Sequence, residues 1–170
     1  FLEIAVVRNF KELKNLFLEN FFIERPALIF SFDGISGAGK DTIISAFSSL
    51  LRKTGQSVLI IEENKEDPFR EEAKKYKNDS LEMTKWLVKG RRHITDKIIV
   101  PNLYKYNYIF LNRWFPSNMA YQASEKIAME KIMMMNLDGG VLMPDFCVIL
   151  DAPLEVILER LKDRREEGIG

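Results

Sequence analysis

The amino-acid sequence predicts an α/β protein, a parallel β-sheet with helices packed on both faces. Three observations predict it. Short apolar runs alternate with stretches of helical spacing along the chain, the pattern of successive strand–helix–strand units. The strand runs are apolar at consecutive positions rather than at every second one, as strands buried on both faces are. Finally, polar residues stand at the carboxyl ends of the runs: Asp33, Glu62, Asn112 and Asp151. Ligands bind beyond that end of such sheets, so the site is expected there.

The elements follow in order. Phe10, Leu13, Phe17 and Phe21 fall at helical spacing over residues 8 to 23, which predicts an amphipathic helix ended by Pro26. Residues 1–26 are therefore expected to form an extra N-terminal helical extension, its aromatic stripe packed on the sheet, and 27–170 the main domain. Ala27 to Phe32 reads as a buried strand running into Asp33 and a glycine-rich turn. Thr42 to Lys53 continues as a helix, stopped at Gly55. Val58 to Ile61 is a second strand, followed by a polar loop around Asn64 to Pro68. Helices are expected over residues 69–76 and 81–100, the second closed by Pro101 and carrying His93 on its surface. Tyr108 to Leu111 is a third strand, followed by Asn112 and Arg113. One helix is expected from Ser117 to about Met135, with Met133 to Met135 filling the core at its end. After Gly139-Gly140, Phe146 to Leu150 is a fourth strand with Cys147 packed inside it, and Leu154 to Arg165 a last helix.

Composition narrows the function. The 170 residues carry 25 acidic and 25 basic side chains, and 46% are hydrophobic, which fits one folded domain and excludes a disordered chain. Zero net charge argues against a protein that coats a nucleic acid polymer or an anionic membrane. No apolar run approaches the roughly 18 residues of a membrane helix. The single cysteine excludes an internal disulfide, and the single histidine excludes a His-rich metal site. With no signal peptide in view, a cytoplasmic setting is expected. Phe1 and the charged end at Gly170 lead to the expectation of a fragment.

Gly34-Ile35-Ser36-Gly37-Ala38-Gly39-Lys40 satisfies the first seven positions of the GxxxxGK[ST] phosphate loop. Glycines there let backbone N–H groups turn inward around phosphate oxygens, and the following helix points its positive end at the same anion. Lys40 adds a mobile cation for the outer phosphates. The eighth position breaks the rule, because Asp41 stands where a Ser or Thr hydroxyl normally ligates Mg²⁺. Three roles are open to Asp41: a metal ligand, a helix N-terminal carboxylate turned outward, or the mark of a weakened site. Thr42 is adjacent and able to substitute.

With these motifs in place, the sequence resembles the thymidylate kinase family of nucleoside monophosphate kinases. The resemblance runs from Leu28 to about Arg165. Phe32-Asp33-Gly34 mirrors the family's Phe-Glu-Gly. Asn112-Arg113-Trp114, Ser117 and Ala120-Tyr121-Gln122 resemble its Asp-Arg-Tyr, Ser and Ala-Tyr-Gln. Pro144-Asp145, Leu150-Asp151 and Pro153-Leu154-Glu155 resemble a further segment, and Arg91 matches an Arg before the third strand.

The resemblance implies a phosphate-loop kinase fold with strand order 2-3-1-4, its lid and last strand incomplete in this chain. It also implies transfer of the γ-phosphoryl of ATP to dTMP or a related nucleotide, with Mg²⁺, by a protein that pairs as a homodimer. Gly34 to Thr42 would hold ATP, with Asp41 toward the metal. Lys40 and Arg113, with Arg160 and Arg164 where the lid begins, would serve catalysis. Asp33, Ser36, Arg70, Lys74, Trp86, Leu87, Arg91, Arg113, Ser117, Tyr121 and Gln122 would line the acceptor site.

The chain also departs from the family. Ser36 replaces a carboxylate that binds the acceptor sugar, Asn112 replaces the Asp of Asp-Arg, and Leu87 falls where a Phe stacks on thymine. Glu62 faces the site in place of a cation. Asp33 and Asp41 are candidates to supply the lost carboxylates. The alternatives are a kinase of another nucleotide or deoxynucleoside, or a catalytically weak nucleotide-binding regulatory module.

Overall fold

The structure is a computed structural model that describes residues 3–7, 26–124 and 126–166, with side chains described over 26–124 and 126–162. The helix expected over 8–23 lies outside the described residues. The strands are β1 (Glu3–Val7), β2 (Leu28–Asp33), β3 (Val58–Glu62), β4 (Tyr108–Asn112) and β5 (Phe146–Leu150). They form one sheet of order β1-β5-β2-β4-β3, every described pairing parallel. Without β1, that is the expected order 2-3-1-4 read from the other edge. The edge strand β1 was not expected. It runs in register with β5 from Glu3 opposite Phe146 to Val7 opposite Leu150.

The larger helices are α1 (Lys40–Lys53), α2 (Ser80–Ile94), α3 (Phe115–Gln122), α4 (Met129–Asp138) and α5 (Leu154–Glu166). Alternate residues of the central strands feed two cores. Phe30, Phe32, Phe110 and Val148 face α1, where Ile44, Phe47 and Leu51 complete one core. Ile29, Ile109, Leu111 and Cys147 face the other way and meet Ile94, Trp114 and Phe115. A central strand buried on both faces has no polar side to show, which is why the strands read as continuous apolar runs. Trp114, fully buried, belongs to this second core, and its indole N–H donates to Leu142 O at 2.9 Å.

Two helices differ from expectation. The second continues past residue 94 through a π-turn (Thr95–Ile99) and a last turn, Val100–Asn102. Pro101 sits inside that turn rather than closing the helix; it has no N–H to give, and the hydrogen-bond register widens just before it. The helix expected from Ser117 to Met135 is two helices. Ala123 is extended (ψ 139°), and a bridged turn over Ser124 and Ile127 reverses the chain. Ile127 and Ile132 are both buried beside that turn, so packing rather than local propensity sets the break. Met134 of the methionine run is half-exposed, while Met135 packs on the core.

Cys147 has no exposed surface, and burial pushes its thiol up to about 11. At pH 8 the folded protein is therefore expected to resist iodoacetamide, because the thiolate is scarce and covered. Alkylation should become complete in denaturant; mass spectrometry of both samples checks this.

Candidate active site

The phosphate loop is closed by three glycines in left-handed or related conformations: Gly34 (φ 141°), Gly37 (φ 86°) and Gly39 (φ 94°). At Gly34 a side chain is excluded twice, since a Cβ would also lie 2.5 Å from Leu150 O. Lys40 opens α1 and is nearly buried, its Nζ donating to Gly34 O and Ile35 O at 2.9 Å each. Ala38 packs into the core and Ile35 is about half exposed. Arg160 of α5 donates to Gly37 O at 3.0 Å, tying the last helix to the loop.

The loop walls a cleft of about 200 Å³, lined also by Ser36, Asp41, Glu62, Asn64, Asn112 and Arg113. Thr42 is not among the residues lining it. Asp41 faces the cleft, and Asn112, at the end of the adjacent strand β4, donates through Nδ2 to Asp41 Oδ1 at 2.7 Å. Two of the residues that depart from the expected pattern are thus in contact.

Arg113 follows directly. Its backbone is left-handed (φ 68°), which glycine tolerates and arginine adopts at a cost. Its N–H donates to Phe32 O at 3.0 Å, fixing it to the end of β2. Nη1 reaches Gly34 O at 3.3 Å and Nη2 reaches Ser36 Oγ at 3.4 Å. The guanidinium lies 5.7 Å from the centre of the Tyr121 ring.

Asp33 lines neither the phosphate-loop cleft nor the one beside it, but a third of about 600 Å³ bounded also by Gly34, Ser117 and Tyr121. It is 1% exposed, and its Oδ1 accepts from Trp114 N (3.1 Å), Ser117 N (3.1 Å) and Ser117 Oγ (2.6 Å). These bonds anchor the start of α3.

A second cleft of about 430 Å³ opens beside the first. Its cations are Arg70, Lys77, Arg91 and Arg113; its other walls include Leu87, Met83, Ser117, Asn118, Tyr121 and Gln122. At its buried end Arg91 Nη2 lies 2.6 Å from Glu63 Oε1, both side chains 2% exposed. Arg91 Nη1 donates to Asn118 Oδ1 at 2.9 Å and to Asn136 Oδ1 at 3.3 Å. Asn118 Nδ2 donates in turn to Gln122 Oε1 at 3.0 Å and Thr84 Oγ1 at 3.4 Å. The amide nitrogen of Gln122 makes a long contact to Met83 Sδ, 3.7 Å. Burial pushes the Glu63 carboxyl above the ordinary range, with the Arg91 guanidinium opposing it.

Of the expected acceptor residues, Arg70, Leu87, Arg91, Arg113, Ser117, Tyr121 and Gln122 line this cleft, and Ser36 lines the phosphate cleft. Arg91 is fully buried. Lys74 points away to Glu71 at 2.5 Å, and Lys77, one turn on, takes its place. Trp86 packs against Phe69, with Lys89 Nζ 4.5 and 4.6 Å from the Phe69 and Trp86 ring centres. His93 meets Phe69 edge-on. The side chain of Arg164 lies outside the described residues. Sequence reasoning missed Glu63, Asn118, Asn136 and Lys77. Only Asn118 carried a signal, since its spacing of four from Gln122 puts both on one helix face.

A glycine loop between β2 and α1, with a strand-end arginine over it, defines a phosphate-loop nucleotide-binding protein of the α/β class. Comparison with known proteins makes this particular. The thymidylate kinase family model matches residues 32–169, and the chain belongs to the thymidylate kinase family. It is 28% identical over 141 residues to a thymidylate kinase of Xanthomonas oryzae pv. oryzae (strain PXO99A), covering 81% of this chain and 61% of that relative. A thymidylate kinase of Xylella fastidiosa (strain 9a5c) is 27% identical over 141 residues, with 67% of its length covered. The crystal structure of thymidylate kinase from Ehrlichia chaffeensis shares the fold, with a TM-score of 0.60 and 23% identity over 84% of this chain and 86% of that one. The chain thus spans about three fifths of the length of the Xanthomonas relatives it matches.

The left-handed backbone at Arg113 predicts a reversal of the usual substitution order. Arg113→Gly should be more stable than Arg113→Ala by roughly 1 kcal/mol, because both lose the guanidinium but only glycine relieves the strain. Urea unfolding of the two variants measures the difference.

Proposed function

We propose that this chain carries the donor and acceptor sites of an ATP-dependent kinase that phosphorylates dTMP or a closely related nucleoside monophosphate in nucleotide biosynthesis. One observation carries this: Arg113 lines both clefts, so two clefts whose walls carry cations meet at one guanidinium. Phosphoryl transfer needs positioning and cancellation of charge more than covalent chemistry. Lys40, now held by Gly34 O and Ile35 O, would exchange these carbonyls for phosphate oxygens of the donor. Arg113, anchored by its own backbone, would stabilise the charge between donor and acceptor. Arg70 and Lys77 would receive the acceptor phosphate at the more exposed end of the second cleft. Gln122, with Ser117 and Leu87, would meet the base or sugar within it. Arg160 would brace the loop from α5. We place this reaction in the cytoplasm, where a lone buried thiol stays reduced.

The donor set suits Mg²⁺, a hard cation that prefers carboxylate, water and phosphate oxygens. Asp41 would hold it, with Asn112 orienting the carboxylate; the ion neutralises phosphate charge when bound. In phosphate-loop proteins a hydroxyl normally occupies the first helical turn, and a carboxylate comes from a neighbouring strand. Here the carboxylate sits on the helix and the neutral amide on the strand, 2.7 Å apart. Of this pair of positions the site keeps one carboxylate, on the helix rather than the strand, while Glu62 of the same cleft is paired with Lys65.

A coupled ADP-release assay over a panel of nucleoside monophosphates should show dTMP-stimulated turnover. Tight ATP binding with no acceptor stimulation would instead favour the regulatory module. Lys40→Ala should lower turnover by about 10²–10³-fold through lost phosphate contacts.

The exchanged pair predicts non-additive behaviour. Asp41→Thr should weaken Mn²⁺ binding to the ATP complex, read by electron paramagnetic resonance. Asn112→Asp should harm it by setting two carboxylates against each other. Asp41→Thr combined with Asn112→Asp should recover it; Mn²⁺ binding unchanged in Asp41→Thr alone would remove Asp41 as the ligand, and a double variant as weak as Asp41→Thr would overturn the exchange.

A further inference from the structure

The acceptor cleft has four cations on its walls and one carboxylate, Glu63. A nucleoside monophosphate entering such a cleft has two ends, and its phosphate is drawn to whichever cation is least compensated. Arg91 sits deepest, 1% exposed, while Arg70 and Arg113 are partly exposed and Lys77 is exposed. Left alone, a buried guanidinium in a low-dielectric pocket would be the strongest anion trap in the cleft. It is not left alone. Glu63 Oε1 lies 2.6 Å from its Nη2, and two amide oxygens, of Asn118 and Asn136, accept from its Nη1. The fields of Asp67 and Arg70 also reach this pair, but among the described residues Glu63 is the carboxylate in contact with Arg91.

We propose that Glu63 sets the polarity of the bound acceptor. By cancelling Arg91 at the buried end, it leaves the phosphate only Arg70, Lys77 and Arg113, at the open end beside the phosphate loop. The uncharged base then goes inward against Arg91, Asn118 and Gln122, and the phosphate faces the donor. Glu63 acts through Arg91 and is a positioning residue. Its loss would turn the floor of the cleft into a second phosphate site that holds the nucleotide backwards or admits a free anion. This rests on the acceptor assignment above.

The test is competition between dTMP and inorganic phosphate, followed by calorimetry on the chain as it stands. Glu63→Gln keeps the shape and removes the charge. It should bind phosphate at least tenfold more tightly than the unmodified chain, and phosphate should then displace dTMP. Glu63→Gln combined with Arg91→Gln removes both charges and should return phosphate affinity to within twofold of the starting value. A purely structural role for Glu63 would lower the melting temperature without changing phosphate affinity relative to dTMP. Glu63→Asp shortens the arm, is milder toward folding, and should shift phosphate affinity in the same direction by two- to fivefold. Phosphate affinity within twofold of the unmodified chain in both Glu63→Asp and a folded Glu63→Gln overturns the inference while dTMP binding stands. Absence of dTMP binding by the unmodified chain overturns the acceptor assignment and this inference with it.

Discussion

The site depends on one buried carboxylate that lines neither the phosphate-loop cleft nor the arginine-walled cleft beside it. Asp33 ends the strand that feeds the phosphate loop, and its Oδ1 gathers Trp114 N, Ser117 N and Ser117 Oγ from the start of α3. Hydrogen bonds to a charged acceptor are worth about 1.5–3 kcal/mol each, and these lie where water cannot compete. They join the phosphate loop to the helix that walls the second, arginine-lined cleft. Arg113 lies between them, its N–H on Phe32 O and its backbone forced left-handed. Asp33 thus explains how a strained arginine persists at the junction: the chain is pinned on both sides of it, so the surroundings decide its conformation.

The same logic governs the far end of the acceptor cleft. Breaking a buried ion pair by removing one partner costs about 3–5 kcal/mol, because a charge is stranded without water. Glu63 and Arg91 are that kind of pair, extended by Asn118, Asn136, Thr84 and Gln122 into a hydrogen-bonded floor. Gly90 lets this floor close, since a Cβ there would strike the Asp67 carboxylate. Asp67 in turn accepts from Phe69 N at 2.8 Å and holds the loop that carries Glu63 against α2. The missing side chain of one helical glycine, next to Arg91 in the chain, therefore makes room for the segment that carries Glu63.

What was legible in the sequence was what is local. The phosphate loop is a run of seven residues whose chemistry is contained in its own backbone, and the strands announce themselves by burial on two faces. Long-range partners were not legible. Glu63 and Arg91 are far apart in sequence, and nothing beside Glu63 marks it as the member of a loop of acids that turns inward. Lys74 and Lys77 are indistinguishable by type; only the course of the chain decides that the first meets Glu71 and the second the cleft. Trp86 and Leu87 are neighbours on one helix, so at most one can face the cleft, and the ring of Phe69 claims Trp86. The break at Ala123 was hidden because no proline or glycine marks it; the burial of Ile127 and Ile132 does.

Asp41 and Asn112 show how a list of departures misleads when it is read without geometry. Taken one at a time, each weakens the case for metal-assisted chemistry: an acid where a hydroxyl belongs, an amide where an acid belongs. Strand β4 lies beside β2, and α1 rises from the end of β2, so the two positions are neighbours in any fold of this topology. A divalent cation responds to the charge and oxygen atoms around it, and one carboxylate can serve from either element. On the proposed reading, the hydrogen bond from Asn112 to Asp41 would have a use that neither residue has alone: it would hold the carboxylate against the strand end that supplies it in the usual arrangement.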